Sequence, residues 1–244
     1  MFGFGKPKCP VDLLTAEWQE ARFEWLGRVL GGDDPAQPVV VEPTSSFFPW
    51  RLDSEEGARR AFEAVCTHMG VDPESVVLEF QDGTKQAREN FSKLGQWESD
   101  APGGTWDDQG PHRIVISRDA FGDAMYFVYV AAHELGHQVL LGGALLTGDE
   151  EDNEPLTDLL TVYKGLGIFG ANACVHFSQF QAAGASGHEW ATRGYLGMAD
   201  WSYTLALFAK QRGETRPPWR KHLRPDVRAL FDKAQNWINR RPAQ

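Results

Sequence analysis

The sequence predicts an α+β fold with a small mixed N-terminal lobe and a helical C-terminal lobe. Short apolar runs rich in β-branched residues, which are typical of strands, all lie before residue 118. Longer stretches with the apolar spacing of helices dominate after residue 119. No linker is long or biased enough in composition to separate two domains. We therefore predict a flexible leader over residues 1–10 and a single domain over 11–244, with lobes at 11–118 and 119–244.

Two helices and three strands are predicted for the N-terminal lobe. Thr15 is a suitable N-cap for a helix that runs to about Leu30, and Ser54 caps a second helix that ends near Met69. Residues 82–111 are polar and rich in glycine, and they are predicted to form either a loop or a β-meander. The strand candidates are Val39–Val41, Ser75–Phe80 and Arg113–Ser117.

Four helices are predicted for the C-terminal lobe. The first runs from about Gly122 to Leu141, because its apolar positions give it a broad apolar surface. The second follows a cap at Asp152 or Asn153 and continues through a run of small residues, interpreted as close-packing positions against the first helix. The last two helices cover about 199–210 and 225–239. The small residues are Gly165, Gly167, Gly170, Ala171 and Ala173.

The first of these helices carries the HExxH motif His133-Glu134-x-x-His137. Side chains at i and i+4 share one helix face, so His133 and His137 can reach a single metal ion. Glu134 is turned by about 100° from His133, so it lies beside that metal and can take a proton from activated water. The alternative is a pair of core histidines beside a carboxylate. Burying three polar groups on an apolar helix is costly without a partner, which favours the metal.

A second stretch, Asp152 to Asp158, supplies what the histidine pair lacks. Catalytic zinc sites usually have three protein ligands and an open position for water. Glu154 would be the third ligand, and Asp158, one turn later, would accept the outer N–H of a zinc-bound imidazole. The alternative is that Glu154 is an N-terminal helix carboxylate stabilised by the helix dipole, in which case Asp158 is the substitute ligand.

Together, His133-Glu134-x-x-His137 and Asn153-Glu154-x-x-x-Asp158 resemble the gluzincin clan of zinc metallopeptidases, typified by thermolysin. The resemblance covers residues 119–175. Its flanks are also similar to uncharacterised bacterial proteins, in which the motif pair occurs with a Gly-Leu-Gly-Ile-Phe run like Gly165–Phe169.

The resemblance implies a zincin-like fold with a zinc ion held between the two motif helices. It implies His133, His137 and Glu154 as ligands, Glu134 as general base and Asp158 hydrogen-bonded to His133. It further implies a sheet before the first motif helix, whose edge strand pairs with the peptide substrate. Residues 113–117 are the first candidate for that strand, and residues 76–80 the second.

The clan also requires a donor for the oxyanion of the tetrahedral intermediate. Tyr195 and His188 are the preferred catalytic candidates, because they follow a predicted turn that lets them fold back towards the metal. His176 lies too far along the second motif helix if that helix is unbroken. The other downstream candidates are Arg193 and Tyr203.

The overall composition limits the classes of binding partner and the cellular compartment that we expect. A formal charge of −10 argues against general binding to nucleic acids or anionic membranes. No apolar run approaches the roughly 20 residues that span a bilayer, and the N-terminus lacks a secretory signal. The three scattered cysteines are not a disulfide framework. We expect a cytoplasmic protein that acts on peptides or proteins, and secretion by a route without a classical signal stays open. The sequence does not specify the oligomeric state.

These motifs favour a zinc-dependent hydrolase, specifically a metallopeptidase that activates water. Two alternatives stay open: a catalytically silent interaction protein with a structural metal, and a regulatory protease specific for one partner protein. Glu134 weighs against the silent protein, because a structural site needs no base. Cys9 is interpreted as a free leader cysteine, and the basic stretch Arg216–Arg224 as a solvated surface.

Overall fold

The computed structural model describes residues 8–31, 38–47, 52–82, 112–147, 150–181 and 196–241, with the backbone alone for His112 and residues 175–181. This part of the chain is a mixture of helices and one small sheet, which agrees with the predicted α+β class, although helices dominate. In chain order the elements are α1 (Leu13–Leu30), α2 (Glu55–Met69), β1 (Val76–Gln81), β2 (His112–Ser117), α3 (Ala124–His137), α4 (Asn153–Tyr163), α5 (Gly167–Gln181), α6 (Met198–Gln211) and α7 (Pro225–Arg240).

The first two helices begin at side-chain caps. Asp12, and not Thr15 as predicted, is the N-cap of α1: its carboxylate accepts hydrogen bonds from both the backbone N–H and the hydroxyl of Thr15. The carboxylate can therefore serve two donors of the first turn at once. Ser54 caps α2 as predicted and accepts from the Gly57 N–H at 3.2 Å.

The sheet consists of β1 and β2, which run parallel with Val76 opposite His112 and Gln81 opposite Ser117. Two of the three predicted strands are thereby confirmed. The third is wrong: Val39–Val41 forms no strand, and the Val41 N–H instead donates to the Gly165 carbonyl at 2.9 Å. The prediction of a loop or a β-meander over 82–111 falls almost wholly on residues outside the described ranges.

The helix predicted to continue through the small residues is two helices, and the single-helix prediction is wrong. The chain leaves α4 through Gly165, whose φ of +87° is left-handed, and α5 starts at Gly167. A Cβ at Gly165 would lie 2.2 Å from the Val39 carbonyl oxygen, so only glycine fits this approach. Gly170 packs against Trp201 of α6, not against α3 as expected.

The core lies among the helices, and its largest side chains include two tryptophans. Trp219 is buried although it belongs to the stretch interpreted as a solvated surface, and its indole N–H donates to Glu214 at 2.9 Å. Cys9, predicted in a flexible leader, packs against this core, and residues 1–7 lie outside the described ranges. All three cysteines are free thiols. None of the described helices is both long and apolar enough to cross a bilayer.

Candidate metal centre

The HExxH residues lie on the C-terminal half of α3, which has local reasons to be a helix. The Asp123 carboxylate caps its first turn by accepting the N–H groups of Met125 and Tyr126 at 3.0 and 3.1 Å. Its apolar side chains before and within the motif pack into the core. This rigid setting brings the rings of His133 and His137 to 4.9 Å from each other.

The second motif lies on α4, whose start is fixed by α1. Asp152 occupies the N-cap position, as one of the two predicted caps, but its side chain does not cap the helix. Its carboxylate instead binds the Arg22 guanidinium at 2.6 and 2.7 Å and the Trp18 indole N–H at 2.8 Å. The turn that carries Glu154 is therefore anchored to another helix.

The two helices bring three potential ligands to one point. The Glu154 carboxylate lies with Oε2 at 3.0 Å from His133 Nε2 and Oε1 at 3.5 Å from His137 Nε2. One donor atom from each residue lies within 4.8 Å of the others. Tetrahedral coordination with ligands at about 2.0–2.1 Å separates neighbouring donors by about 3.3–3.5 Å, close to the two distances from Glu154, so these residues could hold a metal ion.

Solvent access to the group differs among its members. The side chains of His133 and His137 are 6% and 15% exposed, whereas that of Glu154 is 42% exposed. The donors are therefore held in the protein on the histidine side and open to water on the glutamate side. An enzyme needs such an open side, because water and substrate must reach the metal.

Asp158 lies behind His133, the position that the resemblance implied. It is fully buried, and its Oδ1 lies 2.9 Å from His133 Nδ1. Its Oδ2 accepts the Leu196 N–H at 3.3 Å. Because an ionised carboxylate only accepts hydrogen bonds, His133 carries a proton on Nδ1 and directs Nε2 at Glu154.

The charges of the cluster stabilise one another. Burial lowers the pKa of His133, but hydrogen bonds with Asp158 and Glu154 outweigh it and raise that pKa well above its ordinary value. For the acid Glu154, burial acts in the opposite direction and raises the pKa. Hydrogen bonds with the two histidines outweigh burial and hold the pKa of Glu154 well below its usual range. Glu154 is thus ionised at neutral pH, as a metal ligand must be.

Glu134 lies beside the ligand group, partly exposed on α3. Burial raises its pKa, and the neighbouring histidines only partly offset this. A carboxylate with a raised pKa holds a proton more readily, which suits a general base that accepts and returns one. Asp158, by contrast, has both carboxylate oxygens engaged in hydrogen bonds.

Two residues that were not predicted from the sequence also lie at this centre. The ring of Tyr129 lies 5.9 Å from that of His133, one turn earlier on the same face of α3. Thr157 directs its hydroxyl at His137, with 3.4 Å between Oγ1 and Nδ1. Helical spacing could have indicated Tyr129, which is at i−4 from His133, whereas the contact of Thr157 with His137 depends on how α4 packs against α3.

The predicted oxyanion donors are not brought to the centre by any described contact. Tyr195, His188 and Arg193 lie outside the described ranges, and of His176 only the backbone is described. Tyr203 is buried on α6 and donates its hydroxyl to Glu20 at 2.5 Å. The assignment of Tyr195 and His188 therefore stays a prediction.

At this centre two imidazole nitrogens and the Glu154 carboxylate converge on one point. The buried Asp158 orients one imidazole, and the carboxylate of Glu134 lies alongside. Neither a family model, nor a curated protein, nor a solved structure matches this chain.

Proposed function

We propose that this protein is a zinc-dependent hydrolase, specifically a metallopeptidase with a zincin-like arrangement of its motif helices. The observation that carries the proposal is the convergence of His133, His137 and Glu154 within 4.8 Å beside the carboxylate of Glu134. Two imidazoles and one carboxylate are a ligand set typical of catalytic zinc. The open side at Glu154 leaves room for water and substrate.

His133, His137 and Glu154 would hold the zinc ion, which when bound would supply a Lewis acid that lowers the pKa of water to about 7 and polarises a carbonyl group. Glu134 accepts the proton of the attacking water and then delivers it to the leaving amine. Its raised pKa supports this exchange. Asp158 holds the proton of His133 on Nδ1, so that Nε2 would be the nitrogen that binds the metal.

We further propose that the peptide substrate pairs with an edge of the small sheet. β2 is the first candidate, because the turn Arg118–Gly122 joins it directly to α3. β1 is the second. An extended peptide gains backbone hydrogen bonds from a strand edge, which orients it without requiring a particular side chain. We assign the activity to the cytoplasm, where the three free thiols would stay reduced.

The metal is tested by elemental mass spectrometry on the purified protein, with His137→Ala as the matched variant. We expect about one zinc ion per wild-type chain and none in the variant. A wild-type protein that holds no metal after reconstitution with zinc would overturn the proposal.

The hydrolase activity is tested on a denatured proteome, by sequencing the new N-termini that the protein creates. We expect cleavage by the wild type and none by Glu134→Gln, which should retain its zinc. Full activity in that variant would overturn the role of the base. Zinc binding without cleavage in either protein would favour a silent interaction protein or a protease restricted to one folded partner.

A further inference from the structure

The Thr157 side chain lies between His137 and the main chain of its own helix. Its Oγ1 is 2.8 Å from the Asn153 carbonyl oxygen and 3.4 Å from His137 Nδ1. Thr157 is fully buried, so no bulk water competes for the hydroxyl. Since a carbonyl oxygen can only accept, the hydroxyl proton points to Asn153.

This direction of the hydroxyl proton favours a proton on Nδ1 of His137. The Thr157 oxygen is left as an acceptor towards Nδ1, so a hydrogen on that nitrogen would leave Nε2, which lies 3.5 Å from the Glu154 carboxylate, as the nitrogen that binds a metal. We propose that Thr157 is a positioning residue that selects the metal-binding tautomer of His137. The inference rests on the proposed zinc centre and assigns His137 an orienting partner, as Asp158 is for His133.

Gly136 completes the arrangement. A Cβ at this position would lie 2.7 Å from the Thr157 Cγ2, so the methyl group packs directly on the α3 backbone beside His137. The methyl contact and the hydrogen bond to Asn153 use the two branches of a stiff side chain, which leaves a single χ1 rotamer. The small residue between the two histidines therefore allows the hydroxyl to reach His137.

The two orienting partners differ in charge. Asp158 is a carboxylate and forms a charge-assisted hydrogen bond with His133, whereas Thr157 offers His137 a neutral oxygen at longer range. Loss of an outer partner typically costs 10–100-fold in metal affinity. We expect the loss at Thr157 to lie near the lower limit, about tenfold.

The first test compares zinc affinities by chelator competition. Thr157→Val keeps the shape and the methyl contact but removes the hydroxyl, and should weaken binding about tenfold. Thr157→Ser restores the hydroxyl and should bind like the wild type. The matched control is Thr161→Val, one turn later, whose buried hydroxyl donates to the Asp158 carbonyl at 2.8 Å, and which should also bind like the wild type. Equal affinities for Thr157→Val and wild type would overturn the inference.

The second test reads the tautomer directly and does not depend on zinc. In zinc-free protein labelled with ¹⁵N-histidine and carrying Glu154→Ala, which removes the carboxylate that would draw the proton to Nε2, NMR of the neutral imidazole should show the proton on Nδ1 of His137 and a shift towards Nε2 when Thr157→Val is added. A proton on Nε2 before Thr157 is changed would overturn the inference even if the wild type binds zinc. A proton on Nδ1 in a protein that binds no zinc would contradict the proposed function alone.

Discussion

Glu154 and Asp158 are one turn apart on α4, yet their surroundings give them different tasks. Glu154 faces the Nε2 atoms of both histidines and is open to solvent. Asp158 faces only Nδ1 of His133, and its second oxygen is engaged by the Leu196 N–H. The sequence left Asp158 open as a substitute ligand, and the geometry favours Glu154 in that role.

Substitution of these two carboxylates by amides should separate a ligand from an orienting residue. Glu154→Gln keeps the size but removes the charge and one ligand oxygen, and should lower zinc affinity by more than the roughly 10–100-fold of an outer-partner change. Asp158→Asn should fall within that range. The measurement is chelator competition; a larger loss in Asp158→Asn than in Glu154→Gln would transfer the ligand role.

Asp200, at the start of α6, should make stability depend on pH. Burial raises the pKa of its carboxyl to about 6, although the Gly197 N–H opposes this. The folded protein therefore holds this proton more tightly than the unfolded chain. The stability that protonated Asp200 contributes is complete below about pH 4 and is lost as pH rises through about 6.

The variant Asp200→Asn lacks this titration and can still accept the Gly197 N–H. We expect the difference in free energy of unfolding, variant minus wild type, to be larger at pH 7 than at pH 4 by on the order of 1–2 kcal/mol. Urea unfolding in the presence of a chelator measures the difference at both pH values. An equal difference at the two values would contradict the expectation.

At the scale of elements, the break between α4 and α5 is set by one glycine. Gly165 and Gly213 both have left-handed backbones, but a Cβ at Gly213 would meet nothing within 4 Å, whereas one at Gly165 would collide with the Val39 carbonyl. Gly213→Ala should therefore cost about 1–2 kcal/mol, the strain of the left-handed backbone alone. Gly165→Ala should cost clearly more, as measured by denaturant unfolding. Equal costs would mean that the Val39 segment moves away freely.

The sequence predicted elements whose causes are local. The HExxH face follows from helical spacing, so His133 and His137 were placed together without any tertiary information. The ends of α2 and the positions of β1 and β2 likewise follow from caps and apolar runs. Glu154 and Asp158 were found because both lie on one helix face, at i and i+4.

What the sequence did not predict depends on contacts between distant segments. The break at Gly165 needs the Val39 carbonyl, and the same approach makes Val39–Val41 an extended segment without a strand partner in the described ranges. The Asp152 carboxylate does not cap α4 because it binds Arg22, which lies on a distant helix. Thr157 was missed because its role depends on how closely α4 approaches Gly136, which spacing within one helix does not reveal.

For the whole molecule, the proposed centre joins two helices of the core, so removal of the metal should weaken the entire fold. Zinc at 1,000 times its dissociation constant stabilises a protein by about 4 kcal/mol. For a chain of this size that corresponds to a shift of roughly 8–16 °C in Tm. Calorimetry with and without a chelator measures it. His137→Ala should show no zinc-dependent shift, and a wild-type Tm indifferent to zinc would contradict the prediction.

The clustering of the centre in one short stretch of chain has a consequence for the order of folding. His133 and Glu154 are 21 positions apart, whereas the Trp18–Asp152 contact that anchors α4 spans 134 positions. Closing the longer loop costs about 1.6 kcal/mol more chain entropy. During refolding we therefore expect the helical hairpin of α3 and α4 to pair before α1 docks. Zinc added at the start of refolding should then bind a hairpin intermediate, with the N-terminal helix arriving afterwards.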